Sequence, residues 1–252
     1  MTFRNHSTAR RSSGVMWQVI LLGILAGTWP ILGVLGTAWK AQAQNVKTPY
    51  PSMAPLDQYL MDRNAEVAMA RSAAPAAISS DATVLVLGRK GYETAVTGKN
   101  GFVCLVERSW TSLTDNDPEF WNPKERFPIC YNAPAARFLL PLTFSKTEMA
   151  LAGQSHAQII DGVKAFGKKE LPPLQPGAMS YMMSSQGYLS DALGHAAPHL
   201  MFYVPQGTPW GGDAPGSPVL RGPQQFPGPP QPVSIFVIMS PKWSDGTPAP
   251  GM

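Results

Sequence analysis

One aspartate and two histidines fall at intervals of four in Asp191-Ala-Leu-Gly-His195-Ala-Ala-Pro-His199. Imidazole nitrogens and carboxylate oxygens are ordinary ligands of Zn²⁺ and Fe²⁺. Asp191, His195 and His199 are therefore the candidate metal ligands, and a metal-dependent hydrolase is the enzymatic reading they support. On a helix this spacing would put all three on one face, but Gly194 and Pro198 break such a helix. We expect a turn holding His195, followed by a strand that begins at His199. The segment is not His-Glu-x-x-His and lacks the general base of that motif. Histidines that hydrogen-bond locally at a strand entrance are the plainer alternative.

Methionine supplies a softer set of donors. Ten of the twelve methionines lie beyond residue 43, among them Met179, Met182, Met183, Met201 and Met239. Thioethers suit Cu(I), which makes a copper-binding protein using histidine and methionine a further reading. On a strand, Met179, Tyr181 and Met183 share one face and Met182 takes the other. Methionine also fills irregular cores, the competing role.

The remaining motifs are weaker. Gly153-Gln-Ser155-His156-Ala157 has the outline of a nucleophile elbow, but an elbow needs a strand just before the serine, and Ser155 is expected mid-helix. Glu93, Glu107 and Arg108 lie on or beside neighbouring strands, where carboxylates more often face solvent than do acid–base work. Asp115, Asp117 and Glu119 lack the turn glycine and distal glutamate of a calcium loop. The chain contains neither Gly-x-x-x-x-Gly-Lys nor Gly-x-Gly-x-x-Gly, so nucleotide binding has no support and no cofactor is assigned. Trp110, Phe120 and Trp121 are expected to seal an irregular segment over the sheet, because aromatic side chains bury much area each.

These residues need elements to hold them. A first helix is expected from Pro55 to Ala73, and a second from Ser145 to about Phe166, opened by a capping box of Ser145 and Glu148. Ala82–Leu87, Tyr92–Val96 and Phe102–Glu107, separated by glycine turns, read as a three-stranded antiparallel meander. The first and third runs are apolar on both faces and belong inside a covered sheet, and the middle run lies nearer an edge. Residues 109–142 read as an ordered loop. Further strands are expected at Ala178–Ser184, His199–Val204 and Val233–Met239. Between the last two, residues 205–232 hold nine prolines and six glycines and must form a long surface loop. The fold class is α+β: a mostly antiparallel sheet of five to seven strands with two packed helices.

The N-terminus addresses the protein. Arg4, Arg10 and Arg11 precede an apolar run from Val15 to Trp39, and Ala41-Gln42-Ala43 closes it. Residues 1–43 read as an export signal, with a retained membrane anchor as the alternative, since the run is long enough to span a bilayer. Residues 44–252 then form a single periplasmic or secreted domain. All the excess positive charge lies in the signal: the chain has 20 Lys+Arg against 16 Asp+Glu, and four of the basic residues precede residue 44. The remainder is neutral, so nucleic acid is not an expected partner, and a membrane is a partner only if the signal stays attached. Cys104 and Cys130, an even pair in an oxidising compartment, are expected to form a disulfide. With no assembled catalytic constellation, the leading expectation is a non-catalytic binding or interaction protein of unknown ligand.

Overall fold

The computed structural model describes residues 49–112, 117–221 and 233–249, all within the unit Val46–Met252. Residues 1–43, expected to be an export signal, Asp115 and the 222–232 portion of the Pro/Gly-rich loop lie outside the described residues. Among the described residues no helix is long and apolar enough to cross a membrane.

Among the described residues, eight strands form one mixed sheet: β1 (Thr83–Gly88), β2 (Gly91–Val96), β3 (Val103–Glu107), β4 (Phe127–Tyr131), β5 (Met179–Met182), β6 (His199–Pro205), β7 (Val219–Arg221) and β8 (Val233–Met239). Their spatial order is β2-β1-β3-β4-β5-β6-β8-β7. Four α-helices accompany them among the described residues: α1 (Arg63–Arg71), α2 (Ala76–Ser79), α3 (Ala133–Leu151) and α4 (His156–Lys169). The class is α+β as expected, with one more strand than the upper bound and twice the helices.

The first three strands are not a meander. β1 pairs antiparallel with β2 but parallel with β3, so the chain leaves the edge strand and crosses β1 before re-entering the sheet. Burial explains the order. Val84, Cys104, Val106 and Cys130 pack against Ala70, Ala73 and Ala74 at the end of α1, while Leu85, Leu87, Leu105, Ile129 and Tyr131 face α3. Strands apolar on both sides must sit centrally, whereas Glu93 and Thr94 of β2 are exposed and suit an edge. The crossing is tight at Gly98, where a side chain would collide with the backbone of Ala82 and Thr83.

Capping residues set the helix boundaries differently from the expected ones. Asp62 accepts hydrogen bonds from the amides of Asn64 and Ala65, so α1 begins at Arg63 and the Pro55 segment forms only a short 3₁₀ turn, Leu56–Gln58. The single helix expected from Ser145 is two helices. Asn132 caps α3, with a proline in the first turn, and Gly153 at φ 77° follows its end. The true capping box is Ser155 with Gln158, which opens α4.

Cys104 and Cys130 are direct cross-strand partners in the β3–β4 ladder and form the disulfide, with no exposure of either. β4 lies within the stretch expected to be loop. Trp110, Phe120 and Trp121 of that stretch are buried, and Trp110 donates to the Thr147 hydroxyl of α3 at 3.1 Å.

Candidate functional site

Asp191 is the hub of the best-organised polar surface. Arg126 and Tyr188 exchange backbone hydrogen bonds of 3.0 and 2.9 Å, which lays the 187–194 turn beside the 119–126 segment. The turn closes through Gly194, at φ 64°, whose amide donates to the Ser190 carbonyl. Asp191 therefore projects toward side chains distant in sequence. Tyr50 donates to its Oδ2 at 2.5 Å, and Lys124 Nζ and the Tyr188 hydroxyl donate to Oδ1 at 2.7 and 2.8 Å. Lys124, then Tyr50 and Tyr188, hold the Asp191 carboxyl far below the usual carboxylate range. The same contact with Asp191 raises the Lys124 ammonium and both phenols. Such a carboxylate stays ionised and is a poor proton acceptor, so it serves as a fixed charge rather than a general base.

Two buried carboxyls lie behind it. Glu119 Oε2 accepts from the Asn122 amide group at 2.6 Å and from the Asp191 backbone amide at 2.8 Å, tying the two loops together. Glu125 is 1% exposed, and its Oε2 has no hydrogen-bond partner among the described residues. Desolvation, followed by the nearby charges of Asp117, Glu119 and Asp191, pushes its carboxyl up to about 10. Glu125 is therefore a neutral acid at pH 7. Beside this cluster a half-open depression of about 10 Å³, room for about one water, is lined by Arg126, Phe127, Met182, Ser184, Tyr188 and Ala196 among others. It is far smaller than the pockets that engulf drug-sized ligands.

Each expected metal ligand makes a hydrogen bond of its own. His195 sits in the turn as expected, exposed, with Nδ1 donating to the Gly187 carbonyl at 2.5 Å and its ring edge-on to Tyr188. His199 begins β6, also as expected, and its Nδ1 donates to the Ala197 carbonyl at 2.7 Å. Burial lowers its pKa. Among the described residues no group of three or more His, Cys, Asp or Glu is arranged to hold a metal ion.

Other sequence candidates resolve into structural parts. Ser155 is the cap of α4, not a mid-helix residue, and its hydroxyl is committed to Gln158. His156 stacks on Phe120 with ring centroids 3.8 Å apart. Glu93 is exposed and pairs with Arg63. Glu107 is buried and accepts from Tyr131, Thr143 and Thr111, and desolvation still raises its pKa. Arg108 is fully buried against Glu66 of α1.

Sequence reasoning missed Tyr50, Lys124 and Tyr188. Tyr188 was within reach, three residues before Asp191, but Tyr50 lies 141 residues from its partner, a pairing that no local pattern marks. No protein-family model, curated protein or solved structure matches this chain.

Proposed function

We propose that this chain is an exported, non-catalytic binding or interaction protein whose contact surface is centred on Tyr50, Lys124, Asp191, Tyr188 and His195. The observation that carries the reading is the composition of that surface: tyrosines fixed by a common carboxylate, a lysine, a histidine, and Arg126 and Met182 in the adjoining depression. Tyrosine, arginine and methionine are enriched where proteins meet partners, because they offer large area with polar tips. Pre-fixing the two phenols through Asp191 reduces the ordering cost on association. The hydrolase reading is less favoured, since the Asp191 carboxylate already accepts from four side chains, Tyr50, Asn122, Lys124 and Tyr188. Export is supported by the buried disulfide, which persists in oxidising compartments.

The test combines location with contact. Fractionation and mass measurement should find the chain outside the cytoplasm, starting at Gln44. A photo-crosslinking residue placed at 188 or 195 in living cells should yield a discrete adduct that a crosslinker at exposed Lys168 does not. Cytoplasmic retention, or adducts no different from those at 168, would overturn the proposal.

A further inference from the structure

The sheet register assembles what the sequence left scattered. Met182 of β5 is the direct antiparallel partner of His199 in β6, and His199 is the direct partner of Met239 in β8. Directly opposed residues point to the same face with Cβ atoms about 4.5–5.5 Å apart. Met201, two residues along β6, shares that face. His199 thus has a methionine opposite it on each neighbouring strand, and a third two residues along its own strand, whose sulfur accepts from the Tyr203 hydroxyl at 3.9 Å.

The imidazole is set up to ligate. Its Nδ1 carries the proton donated to Ala197, which leaves the lone pair on Nε2. Met182, His199 and Met239 are half-buried and Met201 is buried. Met182 also lines the surface depression beside Tyr188. Both cysteines are in the disulfide, so thioethers are the soft donors that remain.

We propose that His199, Met182 and Met239, with Met201 behind them, bind a single soft monovalent ion, Cu(I). All four donors are neutral. A half-buried site without an anionic ligand leaves a divalent charge uncompensated, whereas sulfur and imidazole suit Cu(I). Here one histidine acts with methionines, and Asp191 and His195 take no part.

The full chain, titrated with Cu(I) in competition with bicinchoninate, should withdraw one copper per chain, and X-ray absorption should show sulfur scatterers. Met182→Leu/Met239→Leu conserves volume and apolarity, so it should keep the wild-type circular dichroism. It should weaken Cu(I) binding by at least about 100-fold, and His199→Gln should do the same. Packing alone would be served equally by leucine. Failure of the wild type to compete, unchanged affinity in the double variant, or Zn²⁺ bound as tightly as Cu(I) would overturn the site. The proposal rests on reading the chain as a binding protein, yet the two fail separately: crosslinks at 188 or 195 can persist without copper binding, and copper binding without crosslinks.

Discussion

Two ion pairs of similar length, Arg108–Glu66 at 2.9 Å and Lys124–Asp191 at 2.7 Å, occupy opposite surroundings. The first pair's side chains have no exposure, whereas those of the second are 57% and 36% exposed. Arg108 spends its guanidinium on three elements: it donates to the Tyr59 carbonyl, to the Val106 carbonyl of β3 and to Glu66 of α1. Glu66 in turn accepts the Leu87 amide of β1. That pair is a clamp between helix, lead-in and sheet. The second gathers two tyrosines at the surface and leaves the core alone. The contrast teaches that charge in this protein locks elements together where water is excluded, and where it is not, charge organises the surface proposed for contact.

Four measurements can break or sharpen this contrast. Arg108→Ala strands the Glu66 carboxylate in the core, and urea titration should show a loss of about 3–5 kcal/mol. Replacing both partners with Met and Leu should recover most of that loss. Within the same covered half, Cys104→Ala/Cys130→Ala should cost about 3 kcal/mol, read from the same titration.

The third prediction lies between the two extremes, because Glu125 is buried next to the exposed cluster. Its folded-state pKa is raised, from an ordinary carboxyl value to about 10. The folded chain therefore holds a proton that the unfolded chain releases. That contribution to stability is complete below about pH 4.5. It is lost as pH rises through the window up to about 10. Glu125→Gln removes the penalty, so thermal melts should show a gain of roughly 2 kcal/mol at pH 7 that vanishes near pH 4. Equal stabilisation at both pH values would show that the carboxyl is not held neutral. The smallest effect is expected for Lys124→Ala: exposed pairs contribute little, so the melting midpoint should hold while the crosslinked adduct from position 188 fades. A large loss of stability would erase the contrast.

What could be read from the sequence follows the same division. Val84–Leu87 and Cys104–Val106 announce a doubly covered sheet because every position is apolar, and the cysteine pairing follows from count and compartment. The strand start at His199 was legible because Pro198 and Gly194 leave no other choice. The order of β1, β2 and β3 was not, since glycine turns mark reversals but do not say which neighbour a strand joins. β4 was hidden because Phe127-Pro-Ile-Cys-Tyr131 is short and contains a proline. The break between α3 and α4 was obscured by Pro141, which made the first half of α3 read as loop, and by a false capping box at Ser145. Of the candidate surface, only Asp191 and His195 were named in advance. The groups that position Asp191 come from three separate stretches that meet only after the sheet has formed.

The ends of the sheet carry a consequence for how copies of this chain behave in a crowd. An open sheet offers two rows of unpaired backbone groups to any passing strand. Here one border, β2, displays Glu93 with Arg63 alongside it, and the other, β7, is three residues long. A charged border and a stub are poor templates for strand addition. Among the described residues, the sheet is blunted at both ends without closing into a barrel, and edge-to-edge polymerisation finds little to build on.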